Sequence, residues 1–219
     1  VGLIRIADRP MLQAIAMRER LSARLAEAMI ARGERVVTLK LLQRLDIPVP
    51  PAVLATLALE HGAGDSGLRG ALLARPDLPA SARLALVEAV AAALRGIRVV
   101  KGAVAPERLD RIVRDATDTA LTSIGEREAA GGRAPYTVDL VTRERLSIRL
   151  LLHAVVNGHV LFFADCLAEL CDAPRDKVFT LLETGSRAAL NALLSRCGFT
   201  ESVRNLMARL IFLARAADL

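Results

Sequence analysis

The sequence predicts an all-α protein, on three observations. Apolar residues make up 53% of the chain, and Leu and Ala, both strong helix formers, dominate them. Aromatic residues are only 3%, with no Trp and a single Tyr, Tyr136, so the side chains that favour strands are scarce. A proline followed by an apolar-periodic run recurs about every 28 residues, at Pro51, Pro79 and Pro106, with a related phrase after Pro174. Such recurrence points to stacked helical units. The expected architecture is a helical-repeat (HEAT-like) N-terminal part over residues 1–128, a linker at 129–136, and a compact antiparallel helical C-terminal part over 137–219.

Residues 9–32 are expected as one helix, because Leu12, Ile15, Ala16, Leu21, Leu25, Ala28 and Met29 recur at three- and four-residue steps and Gly33 follows. Val36–Leu45 makes a second, shorter helix. Ile47–Pro51 interrupts the chain, since a residue before Pro avoids the helical region. Pro51 suits the first turn of the next helix, where its missing N–H costs nothing. That helix stops near Gly62 and a polar, Gly-rich loop follows. Leu68–Ala74 is a short helix closed by Arg75-Pro76-Asp77-Leu78-Pro79. A helix over 80–95 ends at Gly96, and 97–104 is a connector with some extended character. From about 105 to 125 a helix sets Leu109, Ile112, Val113, Ala116, Ala120, Leu121 and Ile124 on one face.

Glu128–Pro135 is small, Gly-rich and ends in Pro, as a linker does. Beyond it, Leu146–Val156 is apolar nearly all round and is expected as a central buried helix. Asn157-Gly158 stops it. Val160–Cys171, Pro174–Glu183, Ser186–Arg196 and Glu201–Ala217 complete a five-helix half, whose short connections favour antiparallel neighbours.

At 219 residues the chain suffices for one large or two small domains. No apolar run approaches the ~18 residues of a membrane span, and no charged-then-apolar leader opens it. A cytoplasmic location is expected, and the start at Val1 suggests a part of a longer protein. Cys166, Cys171 and Cys197 do not make a disulfide framework; they read as small buried side chains. The net charge is +6, concentrated in residues 1–50, and all but Lys40, Lys101 and Lys177 of the 30 basic residues are arginine. That bias is expected to reflect a GC-rich coding sequence.

Few motifs carry chemistry. Gly62–Gly67 spells G-x-G-x-x-G, but a dinucleotide site needs a strand before it and a long helix after it; a helix–helix turn is expected. His61, His153 and His159 are not spaced as ligands, and His153 reads as a satisfied core histidine. Asp110, Arg111, Arg114, Asp115 and Asp118 interleave as i, i+4 pairs on a solvated face. No catalytic residue, cofactor or metal ligand is expected. The opening stretch holds Arg18, Arg20, Arg24, Arg32 and Arg35, with Arg20 and Arg24 on one face, and these five form the candidate interaction surface. Glu19, Glu27 and Glu34 intersperse them and no aromatic interleaves for base stacking.

Four stretches carry a resemblance. Leu21–Gln43 joins two helices through a basic-acidic Gly turn. Residues 71–86 hold the Arg-Pro-Asp-Leu-Pro phrase. Residues 105–121 supply a further long helix, and Ser147–Phe199 includes a Gly-x-x-x-Phe step at Gly158–Phe162. Together they resemble an uncharacterised family of all-helical bacterial proteins, typical of alphaproteobacteria, with HEAT-like or leucine-rich-variant repeats. The resemblance implies a helical-repeat fold and no catalytic residues; it also implies further repeats upstream in full members.

The expected function is a non-enzymatic protein-interaction module, a regulatory or signalling scaffold. One alternative is a nucleic-acid-binding helical repeat using the basic N-terminal helices, with affinity that falls steeply with salt. Another is a small-ligand sensor or cryptic enzyme with a cavity lined by His153, Cys166, Phe162 and Phe163. Exposed apolar faces would also allow a homodimer.

Overall fold

The computed structural model describes residues 4, 6–97, 102–132 and 135–217. Residues 98–101 of the expected 97–104 connector, and Arg133 and Ala134 of the expected linker, lie outside the described residues. Thirteen helices and no strand occur among the described residues. The protein is all-α. The chain forms two compact units, Val1–Val113 and Arg114–Leu219.

The first unit contains α1 (Arg9–Ala16), α2 (Ala23–Ile30), α3 (Arg35–Gln43), α4 (Pro51–His61), α5 (Ser66–Ala74), α6 (Ala80–Gly96) and the start of α7 (Pro106–Ala130). Each helix turns an apolar face inward. Leu12 and Ala16 of α1, Ala26 and Met29 of α2, Val37, Leu41 and Leu42 of α3, and Leu54 and Ala58 of α4 are all fully enclosed in one core. α3 packs on α1, α2 and α5, while α4 packs on α5 and closely on α6.

The expected single helix over 9–32 is two helices. Met17 closes α1, and Ser22 opens α2 by accepting the Leu25 N–H at 3.3 Å. The apolar series itself steps five residues from Ala16 to Leu21, which carries the stripe to the other side of a continuous helix, so the break has a local signal that the count of apolar positions hides. What ends α1 comes from elsewhere in the chain: Arg44 donates to the carbonyls of Ala16 at 2.9 Å, of Glu19 at 3.1 Å and of Arg18. The last carbonyls of a helix have no intrahelical partner, and the arginine fork satisfies that of Ala16 together with two carbonyls of the loop that follows.

The same device recurs one helix pair later. Arg75, only 1% exposed, donates to the carbonyls of Leu42 at 3.2 Å, Arg44 at 3.1 Å and Ile47 at 2.9 Å, and its guanidinium is held by both oxygens of Asp77. Asp46 holds Arg44 in the same way. The second unit also uses arginines on helix ends. Arg175 binds the Ala129 carbonyl, Arg196 that of Cys171, and Arg215 those of Leu181, Leu182 and Gly185. The bias to arginine, read above as a matter of coding sequence, thus has a structural use. A lysine ammonium lacks the planar fork that reaches three carbonyls from one direction.

The second unit holds the rest of α7, then α8 (Pro135–Thr142), α9 (Ile148–Val156), α10 (Val160–Cys171), α11 (Arg175–Thr184), α12 (Arg187–Arg196) and α13 (Glu201–Ala217). α8 was not expected as a helix. Ile148–Val156 is not the central helix either: it buries Leu150, Leu151 and Ala154 but leaves Ile148 and Val156 42% and 67% exposed. The centre is α10, which packs on α8, α9, α11 and α12 and buries Phe162, Phe163, Ala164, Cys166 and Leu167 completely or nearly so. Three consecutive leucines, Leu150–Leu152, cannot all face one way on a helix, which is why a local apolar run overstated burial. Gly125 of α7 receives the Phe162 ring so closely that a methyl group there would overlap it.

Candidate functional site

In the first unit, α2 and α4 make little contact with each other, and a groove of about 590 Å³ lies between them. Ile30, Leu57 and Leu68 form an apolar floor that belongs to the core. Glu27 stands on the α2 side, and Thr56, Glu60 and His61 on the α4 side. Arg35 and Asp65 close one end.

That end is rigidly built. Asp65 caps α5 by accepting the N–H groups of Gly67 at 2.9 Å and Leu68 at 3.0 Å. Its carboxylate also pairs through two hydrogen bonds with the Arg35 guanidinium, one of them 2.9 Å from Nη2. Arg35 and the two backbone donors hold the Asp65 carboxyl well below the usual carboxylate range, and the Arg35 guanidinium is pushed up by the same pair. His61 Nε2 lies 3.8 Å from a Glu60 oxygen. The groove thus offers an apolar floor, a neutralised pair at one end and carboxylates from α2 and α4 along its walls. The G-x-G-x-x-G stretch forms the turn into α5: Gly62 is required there because a Cβ would run into Leu86 and the Ala58 carbonyl.

The five arginines named from sequence are all exposed, and two of them are engaged within the fold. Arg18 and Arg20 lie in the loop between α1 and α2, and Arg24 on α2, so Arg20 and Arg24 do not share a helix face. All three are exposed. Arg32 reaches back to the Ala7 carbonyl at 3.4 Å, and Arg35 is engaged with Asp65. The residues that line the groove, Glu27, Thr56, Glu60 and His61, were missed. Nothing in the spacing of two acids 33 positions apart marks them as neighbours.

The acidic and basic cluster around 110–118 is also more than a solvated face. Asp110 receives Arg95 of α6 at 3.0 Å. Arg149 of α9 donates to Asp118 at 2.6 Å and to Asp115, and the Asp118 side chain is only 15% exposed. His153, Cys166 and Phe163, three of the residues expected to line a ligand cavity, have distinct surroundings. His153 is half-buried between the hydroxyls of Thr119 and Thr122, at 3.3 and 3.4 Å, and Asn157. Cys166 is fully enclosed. Phe163 instead faces an apolar hollow of about 260 Å³ with Val155, Phe179 and Ile211. Among the described residues no group of three or more His, Cys, Asp or Glu is placed to hold a metal ion, and no helix is long and apolar enough to cross a membrane.

The model of the family DUF2336, described as an uncharacterised protein conserved in bacteria, matches residues 1–218. The chain belongs to this family. No curated protein and no solved structure matches it. For a DUF2336 chain built this way, both the α2–α4 groove and the exposed Arg18 and Arg20 lie within the matched region.

Proposed function

We propose that this DUF2336 chain is a non-enzymatic, cytoplasmic protein-interaction module built on helical repeats, and that a partner protein seats in the α2–α4 groove. The groove carries the reading: an apolar floor continuous with the core, flanked by charged side chains on two helices, is the form a helix- or strand-binding cleft takes. The repeat reading is supported by the two arginine corners, each pairing with an aspartate two residues on and each holding the end of the helix one pair earlier.

The test is capture of partners from host lysate, with and without nuclease, by the wild-type chain, a groove-filling Thr56→Trp variant and an Arg209→Ala control. A protein that survives nuclease, is retained by the control and is lost from Thr56→Trp is the expected result. A partner held equally by Thr56→Trp sinks the groove as the site. Partners that vanish with nuclease would move the assignment to nucleic acid.

A further inference from the structure

The loop after α1 is built on the same plan as the two arginine corners. Arg18-Glu19-Arg20-Leu21-Ser22 stands where Arg75-Pro76-Asp77-Leu78-Pro79 and Arg44-Leu45-Asp46-Ile47-Pro48 stand in the next two. The backbone agrees in its hydrogen bonding, although Arg44 and Arg75 are the C-cap residues of their helices and Arg18 follows the C-cap Met17. The N–H groups of Arg18, Arg44 and Arg75 each donate three residues back, to Ile15, Leu41 and Leu72, at 3.1, 3.3 and 3.1 Å. The apolar residue three positions on is buried in all three corners: Leu21 at 8%, Ile47 at 1% and Leu78 at 4% exposed. Ser22 and Pro79 both serve as N-cap of the following helix. Arg18 is therefore the counterpart of Arg44 and Arg75.

Two differences set the first corner apart. Arg44 and Arg75 each bind one last-turn carbonyl of another helix and two carbonyls of the turn that follows it, whereas the Arg18 side chain is exposed and makes no hydrogen bond or ion pair among the described residues. The aspartate that clamps the other two is replaced by a second cation, Arg20, also exposed. Met17, next in the chain, is 67% exposed.

We infer that Arg18 and Arg20 form a docking edge for the C-terminal end of an acidic α-helix on a partner protein. The chain itself shows twice what an arginine at this position binds: a last-turn carbonyl of a helix, at the negative end of its dipole, together with carbonyls of the turn just beyond it. Arg20 sets the second requirement. Where Asp46 and Asp77 neutralise their corners from within, this corner takes its carboxylate from the partner, whose last turn supplies Glu or Asp to the guanidinium pair. Met17 gives that helix an apolar contact. This edge is distinct from the groove, and neither depends on the other.

The test uses the intact chain, isotopically labelled so that arginine Nε–H signals are resolved by NMR. The probe is a synthetic alanine-based helical peptide with glutamates and a free carboxylate in its last turn. Its twin has the same glutamates in the first turn and an amidated C-terminus. The expected result is that the first peptide shifts Arg18 and Arg20 and the twin does not. Arg20→Glu weakens that binding by about tenfold or more. Arg18→Lys, which keeps the charge and loses the fork, weakens it by roughly threefold or more. Thr56→Trp and Arg209→Ala leave it unchanged, so failure here is separable from failure of the groove. Four results overturn the proposal: no response, equal response to both peptides, Arg18→Lys binding like wild type, or displacement of the peptide by a DNA duplex at the same residues. Arg18-dependent self-association in sedimentation would assign the edge to a second copy of this chain, and so would overturn it too.

Discussion

At Arg75 the guanidinium has exchanged water for three carbonyls and a carboxylate. Removing it leaves those carbonyls unpaired in a closed core, so Arg75→Ala is expected to cost about 3–5 kcal/mol, with Arg75→Lys between it and wild type, measured by urea unfolding. Arg44, with its side chain 22% exposed, is expected to matter less. Gly125 makes a different kind of demand. Adding one methyl forces the Phe162 ring from its place in the centre of the second unit, so Gly125→Ala is expected to destabilise by roughly 1–3 kcal/mol in the same measurement. The thiols of Cys166 and Cys197 are quiet for an electrostatic reason. Burial raises the Cys166 thiol, and burial together with the neighbouring Cys171 pushes Cys197 up to about 12. Little thiolate exists at pH 8, so neither cysteine is expected to be alkylated by iodoacetamide in the folded protein, as read by peptide mass mapping.

At the scale of elements, helix ends decide where the helices are. Ser22 separates α2 from α1, and Ser22→Ala is expected to cost about 1 kcal/mol through loss of the cap. Asp65 both caps α5 and ties it to α3 through Arg35, and its folded pKa lies below its unfolded one. Its contribution is therefore complete above about pH 4 and is lost as pH falls through the folded value. Asp65→Asn keeps the cap and removes the charge, so the urea midpoint of wild type should fall more steeply than that of the variant between pH 5 and acid. Asp165 on α10 has the opposite sign. Burial, and secondarily Glu126, raise its carboxyl against the lowering effect of Arg175. The folded chain holds this proton more tightly than the unfolded one, so its contribution is greatest at low pH and declines as pH rises through the folded value. Relative to wild type, Asp165→Asn should therefore gain stability from pH 4 to pH 7.

Across the whole molecule, the first unit is bound together by corners that act on one another in sequence. Arg44 fixes the corner at Arg18, and Arg75 binds the Arg44 carbonyl. Loosening one corner therefore removes part of what the next can contribute. A double-mutant cycle of Arg44→Lys and Arg75→Lys is expected to give a combined loss smaller than the sum of the single losses. The second unit is organised around one central helix, α10, with Arg175, Arg196 and Arg215 placed on helix ends.

The helical class was legible from composition and apolar spacing, because both act residue by residue and need no partner. Helix bounds that rest on local chemistry were legible too: the prolines at 51 and 106, the glycines near 62 and 158, and α10 and α13 to the residue. The centrality of α10, the acids of the groove and the arginine lock on the break in 9–32 were decided only by the tertiary structure, although the break also has local signals in the five-residue apolar step and the Ser22 cap. In each case the deciding contact comes from at least 20 residues away, as when Arg44 ends α1 or Phe162 meets Gly125. The candidate arginines show the division most clearly. The sequence marked five cations by their density in the chain. Only packing separated Arg32 and Arg35, which serve the fold, from Arg18 and Arg20, which stand where the fold elsewhere binds a helix end, because a charge takes its role from what lies opposite it.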